Sequence, residues 1–168
     1  MHVRPERPDD HAAVRAVNLA AFDTATEADL VDALRAQANP VISLVAEADG
    51  AVVGHVMFTP VTWAEHPTLA LMGLAPLAVA PAHQRQGVGS ALVHAGLEAC
   101  REAGYGAVAV VGHPAYYPRF GFVPSDRFGI GCQFDVPAEV FMLAEVVPGY
   151  LEGCSGTIRF HAAFDGIE

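Results

Sequence analysis

The 168-residue sequence contains no lysine. Its nine basic residues are all arginines, set against nineteen aspartates and glutamates, and the formal charge is −10. A chain without lysine cannot carry the Gly-Lys-Ser/Thr phosphate loop, which needs that ammonium on the phosphates of a nucleotide. The acidic balance argues against nucleic acid as a partner, because neutralisation of phosphates dominates such binding. It leaves open a cationic substrate or simply a well-solvated surface. Cysteine is scarce too. Cys100, Cys132 and Cys154 are odd in number and far apart, which suits a reducing compartment and suggests neither a disulfide framework nor a zinc site. No metal is expected. The longest apolar run, 69–82, is too short to span a bilayer and carries Pro76. Residues 1–7 lack the apolar stretch of a secretion signal. A cytoplasmic protein with no membrane partner is the expectation. What the chain has in quantity is apolar: 52% hydrophobic against 17% charged residues. At this length that is enough for one domain, 1–168, with a sizeable core.

The stretch 71–103 organises the rest. An apolar run ends at Leu77-Ala78-Val79 and breaks at Pro81. Gln84-Arg85-Gln86-Gly87-Val88-Gly89-Ser90 follows, then a helical segment with Val88, Leu92, Ala95, Ala99 and Ala103 on one stripe, closed by Gly104. Strand, glycine turn and helix in this order leave the N–H groups of the first helical turn without helical partners. Those donors and the helix dipole can hold a phosphate or diphosphate by main chain alone. Gly87 and Gly89 let the backbone bend and an anion approach closely. The dinucleotide fingerprint G-x-G-x-x-G is not met, since Leu92 stands at its third glycine and no acidic residue ends the next strand. A glycine turn also closes ordinary strand–helix units, so the loop alone admits a structural reading.

Around this unit, 3–7 reads as a first strand and Pro8-Asp9-Asp10 as the start of a helix carrying Val14, Val17, Ala21 and Phe22. Thr26-Glu27-Ala28-Asp29 has the form of a capping box opening a second helix that ends before Asn39-Pro40. Strands 41–48 and 51–61 flank Asp49-Gly50, a tight-turn signal. Alternation places Val52, Gly54, Val56 and Phe58 on one face and Val53, His55, Met57 and Thr59 on the other. His55 reads as a core histidine before it reads as a base. The loop 62–67 either covers a site or is ordinary surface. Pro76 cannot donate to a sheet ladder, so the strand 69–79 should be interrupted or bulged there. The uncharged run 107–111 suits a fifth, central strand. Further strands are expected around 140–147 and 157–163, with Gly153, Gly156 and Gly166 as punctuation.

A second motif follows the fifth strand: Gly112-His113-Pro114-Ala115-Tyr116-Tyr117-Pro118-Arg119-Phe120-Gly121-Phe122. Taken with Leu74-Ala75-Pro76-Leu77-Ala78-Val79 and the Gln84-x-x-Gly87-x-Gly89 loop, it resembles the acyl-CoA site of the GNAT superfamily of N-acyltransferases, in its predicted acetyltransferase branch. Segments 141–145 and 148–151 resemble that branch as well. The resemblance implies an α/β (α+β) GNAT-like fold: a central mixed, mostly antiparallel sheet, splayed between the fourth and fifth strands (69–79 and 107–111) and flanked by helices. It implies acetyl-CoA as co-substrate, with Leu77, Ala78, Val79, Gln84, Arg85, Gln86, Gly87, Val88, Gly89 and Ser90 holding it. The amide of Val79 would face the thioester oxygen, and Tyr117 would be the proton donor to the leaving thiolate. The sequence departs from the superfamily where Gly112-His113-Pro114 replaces an asparagine that often holds the pantetheine; His113 either substitutes for it or caps the loop. No glutamate lies in 69–79, where some members keep a general base. Glu27, Glu65, His66, His55, Glu145 and a water chain remain alternatives for that role.

The expected function is therefore an N-acetyltransferase that moves an acetyl group from acetyl-CoA to a primary amine by direct attack in a ternary complex. The alternative is a non-catalytic CoA-binding sensor or interaction module. A small-molecule or peptide amine is the expected acceptor partner, and a homodimer is possible on this reading.

Overall fold

The alternation on either side of Asp49-Gly50 folds into the long hairpin that anchors the computed structural model, which describes residues 1–165. Asp49 (φ 52°) and Gly50 (φ 78°) both take the left-handed conformation, as a tight turn matched to strand twist requires. The hairpin strands are β2, Ile42–Ala48, and β3, Ala51–Pro60. Strand β1, His2–Pro5, pairs antiparallel with the outer edge of β2. After the short β4, Thr62–Trp63, comes β5, Leu71–Val79, antiparallel to β3. Parallel to β5 lies β6, Ala107–Val111. The short β7, Val123–Pro124, and β9, Phe141–Glu145, complete a seven-stranded sheet in the order β1-β2-β3-β5-β6-β9-β7. A small second sheet places β10, Gly156–Arg159, between β4 and β8, Ile130–Cys132.

Helices cover both faces of the large sheet. On one side α1, His11–Ala21, and α2, Thr26–Gln37, bury Val14 and Leu34 against Met57 and Leu71. On the other, α3, Val88–Glu102, buries Leu92 and Val93 against Val56, Phe58 and Met72. This is the α/β architecture with a mixed, mostly antiparallel sheet that the sequence implied. No helix among the described residues is long and apolar enough to cross a membrane. Gly166 lies outside the described residues.

Local differences have local causes. The buried line of α3 runs through Val88, Leu92, Gly96 and Cys100, and Ala103 is exposed, because the small residues face the sheet where Phe58 needs room. Residues 26–29 do not form a capping box. Ala25 is the N-cap, the Thr26 N–H donates to Thr24 Oγ1 at 3.3 Å, and Asp29 is engaged by Arg15 at 3.0 Å. In the hairpin the register shifts between Ala46 and Glu47, leaving Val53 without a Cα partner. Val53 therefore packs on the α3 side and Val52 on the other, reversing strict alternation at that end.

A second register shift lies in the pairing of β3 with β5. Val56 pairs with Leu77 but Phe58 pairs with Leu74, so β5 carries an extra residue around Ala75-Pro76. Pro76 has no N–H to give the ladder, and the bulge sits where that donor is missing. On the other edge, pairing with β6 covers Leu71–Gly73 and stops. From Leu74 onward the two strands part, which is the splay the sequence implied.

Behind the splay, His55 is fully buried. Asn18 Nδ2 donates to the Val14 carbonyl at 3.0 Å and lies 3.2 Å from His55 Nδ1. Nδ1 is thus the acceptor, and Nε2–H donates to Ser43 Oγ at 2.9 Å. Burial, with a smaller contribution from Arg35, pushes the imidazole pKa down to about 3 from 6.5. The unfolded chain takes up a proton below pH 6.5 and the folded chain does not, so stability is undiminished at neutral pH and falls as pH drops. Asp10, clamped by Arg4 and the Arg7 N–H, is lowered from 3.8 to about 2, so its stabilisation is present above about pH 4 and is lost only as pH falls from there toward 2. Between about pH 6.5 and pH 4, His55 should thus supply a slope of about 1.4 kcal/mol per pH unit. Urea unfolding of His55→Gln across this range should show that much less pH dependence than the parent; an equal slope would refute the assignment.

Candidate active site

Where β5 and β6 part, a cleft of about 1480 Å³ opens. Its floor is the free edge of β5. The Ala80 N–H donates back to the Val53 carbonyl at 2.9 Å, and Val79 pairs with Gly54 across β3. By the two-residue alternation of an antiparallel ladder, the N–H groups of Leu77 and Val79 face the opposite way, toward the edge β6 has left. Both residues line the cleft.

The first turn of α3 forms one end. Ala91 N–H to Gly87 carbonyl, 3.0 Å, is the first helical bond, so the N–H groups of Val88, Gly89 and Ser90 have no helical partner. No side chain caps them. Gly87 (φ 84°) and Arg85 (φ 62°) both take left-handed conformations, which curls the loop so that successive N–H groups converge. A side chain at Gly87 would meet no atom within 4 Å, so glycine is needed there for its backbone angle and not for space. Gln84 Nε2 donates to the Val79 carbonyl at 3.0 Å and ties the loop to the strand end. His83 also lines the cleft, with a buried Nδ1 that has no hydrogen-bond partner among the described residues.

The opposing wall comes from the turn after β6. The His113 carbonyl accepts from the Tyr116 and Tyr117 N–H groups at 3.0 and 3.3 Å, so His113 caps this turn while its residue also lines the cleft. Tyr117 begins a 3-10 turn, Tyr117–Phe120. It is 7% exposed and packs edge-to-face on Tyr116 and Phe122. Burial first, and the neighbouring Tyr116 second, push its pKa well above the ordinary value of 10. The hydroxyl of Tyr116 lies 2.7 Å from where a Cβ on Gly89 would stand. Gly89 therefore admits a phenol to the mouth of α3. Arg119 stacks on the Tyr116 ring at 4.7 Å and its Nε donates to the Tyr116 carbonyl at 2.9 Å.

Of the ten residues expected to hold the co-substrate, all but Ala78 and Gln86 line this cleft. Ala78 is buried on the other face, paired with His55, and Gln86 Nε2 donates to the Ala82 carbonyl at 3.3 Å. Tyr117 lines it as expected. The five candidate bases separate cleanly. His55 is sealed behind the sheet; Glu65 accepts from the Thr157 N–H at 2.9 Å; His66 Nε2 accepts from the Ser155 N–H at 3.2 Å; Glu145 accepts from the Leu151 N–H at 2.8 Å. Only Glu27, half-buried near the start of α2, lines the cleft. Tyr116 and Arg119 were not singled out for the site from sequence, although their three-residue spacing in one turn was a usable signal.

Residues 11–122 match the family model described as the acetyltransferase (GNAT) family. The chain is 34% identical over 166 residues to the N-acetyltransferase YhbS of Escherichia coli K12, covering 98% of this chain and 99% of that protein. The crystal structure of E. coli YhbS in complex with CoA superposes with a TM-score of 0.93 at 32% identity, covering 99% and 93% of the two chains. A GNAT family acetyltransferase from Brucella melitensis in complex with acetyl-CoA gives 0.79 at 36% identity, covering 98% and 97%. The chain belongs to the GNAT acetyltransferase family, and it is an acyltransferase.

Because the Tyr117 phenol is held protonated, it should stay so where a free tyrosine is mostly ionised, at about pH 10.5. Phenolate absorbance of Tyr117→Phe at that pH should match the parent; a loss of one tyrosinate equivalent would contradict the burial of this ring.

Proposed function

We propose that this chain transfers an acetyl group from acetyl-CoA to a primary amine by direct attack in a ternary complex. The observation that carries the reading is the uncapped first turn of α3 opening onto the same cleft as Tyr117 and the free β5 edge. The residues present fit the co-substrate. The N–H groups of residues 88–90 offer donors to a diphosphate without lysine, Arg85 adds a cation, and the bared amides of β5 can pair with the pantetheine as a missing strand would.

Two main-chain donors, Leu77 and Val79, stand ready for the thioester oxygen as it gains negative charge. Val79 Cγ2 lies 3.7 Å from the Cβ position of Gly89, beside the phosphate end. Leu77, next to the bulge, is therefore the better-placed donor, a shift of two residues from the sequence expectation. Glu27 accepts the proton an ammonium must lose before it can attack. Tyr117 donates to the departing sulfur. With a thiol near 8.5 and a phenol raised above 10, complete transfer is uphill by more than about 2 kcal/mol. Tyr117 thus acts first as a hydrogen-bond donor that stabilises the thiolate as it forms, a modest demand beside the barriers enzymes lower.

Three variants test these roles. Glu27→Gln should lower kcat by about 10²-fold or more with little change in KM for acetyl-CoA; an unchanged kcat assigns the base to water. Tyr117→Phe should lower kcat and leave CoA affinity in calorimetry near that of the parent, and a parallel loss of affinity would make it a binding residue. Gly87→Glu places a carboxylate and an unfavourable backbone angle in the phosphate loop and should abolish CoA binding; retained affinity would make the loop structural.

A further inference from the structure

The cleft is longer than its coenzyme half, and the far end has a chemistry of its own. Phe134 after β8 and Phe160 and Phe164 after β10 form an aromatic wall of the cleft, and Phe22, just past the end of α1, lines it as well. The rings of Phe134, Phe160 and Phe164 pack in a chain, with centroids 5.7 Å apart for Phe134–Phe160 and 5.5 Å for Phe160–Phe164. Gln133 fixes the wall: its Oε1 accepts from the Phe160 N–H at 3.0 Å and its Nε2 donates to the Phe160 carbonyl at 3.4 Å. Beside this wall the lining carries Asp135 next to Phe134, Asp165 next to Phe164, and Glu27 on α2, which packs on the 162–164 turn. The arginines that line the cleft, Arg85 and Arg119, belong to the phosphate loop and the tyrosine turn.

Resting on the acetyl-transfer reading, we infer that the acceptor is an apolar monoamine, a single ammonium carried on an aromatic or branched aliphatic body. The rings cover the body and the carboxylates draw the cation inward. A free amino acid would bring its own carboxylate against three others with no arginine on that wall. A polyamine or aminoglycoside would need several buried counter-charges, but Asp135 and Asp165 are exposed at the rim and Glu27 alone is half-buried inside.

The test is initial-rate acetylation by the full chain with acetyl-CoA and four amines: phenethylamine, ethylamine, phenylalanine and spermidine. The expected kcat/KM for phenethylamine exceeds each of the others by at least about tenfold. Phe134→Ala, a half-buried loop position, should lower the phenethylamine value by a larger factor than that for ethylamine, with CoA affinity in calorimetry reporting that the variant is folded. Equal rates for ethylamine, or a preference for phenylalanine or spermidine, overturn the acceptor assignment while acetyl transfer itself stands. CoA binding without acetylation of any of the four overturns the acceptor assignment, and acetyl transfer to amines falls with it only if a broad panel of primary amines also releases no CoA.

Discussion

The parallel pairing of β5 with β6 lasts three residues, and its interruption is the constraint that creates the site. One end is locked: the Gly106 N–H donates to the Ala70 carbonyl at 2.9 Å, and the Tyr150 hydroxyl accepts from the Ala70 N–H at 2.7 Å. Beyond Gly73 the strands have different loyalties. β6 stays paired with β9 over all five of its residues, while β5 bulges at Pro76 and remains with β3. A sheet edge left bare inside a fold is normally a liability, since unpaired amides seek any extended chain. On the proposed reading the bare edge is a recognition surface. The same divergence sets the mouth of α3 and the tyrosine turn on opposite lips of one opening, because each begins just beyond the end of its own strand.

The electrostatics of this opening run against the whole-protein charge. An acidic chain of formal charge −10 repels a polyanionic coenzyme at long range. Screening confines that repulsion to about 8–10 Å at physiological salt. Within that distance the cleft is polarised. Uncapped amides at the first turn of α3, Arg85 before it and Arg119 in the tyrosine turn line it from one set of elements, and Glu27, Asp135 and Asp165 from α2, the loop after β8 and the segment after β10. Backbone dipoles supply positive potential that no count of side chains reveals.

Legibility from sequence followed physical locality. The Asp49-Gly50 hairpin, the strand–loop–helix unit and the bulge at Pro76 rest on backbone preferences of single residues, and all were readable. The reversal of Val52 and Val53 was not, because a bulge elsewhere in the ladder changes the face of residues whose own pattern is unbroken. The strand expected around 157–163 is β10, Gly156–Arg159, but the second sheet it joins was not legible, since its partners β4 and β8 have two and three residues, too few to show periodicity. Choosing among five acid–base candidates needed tertiary partners. Glu65, His66 and Glu145 look as reactive in sequence as Glu27, and only the fold shows that they accept from main-chain N–H groups 6 to 92 residues away while Glu27 lines the cleft.

The missing lysine gains a meaning from this chemistry. On the proposed reaction the cleft brings an activated acyl group to amines that have lost their proton. A lysine at the phosphate loop would hold the coenzyme's charge, but its ammonium sheds a proton far more readily when desolvated than a guanidinium does, and it would then compete as an acceptor. Arginine keeps its charge under any working condition and is a poor nucleophile. Arg119 shows a further advantage: its planar group lies on the Tyr116 ring, a stacking that an ammonium fits less well. Main-chain donors at α3 and guanidinium groups at its rim thus provide positive potential that cannot be consumed by the reaction it supports.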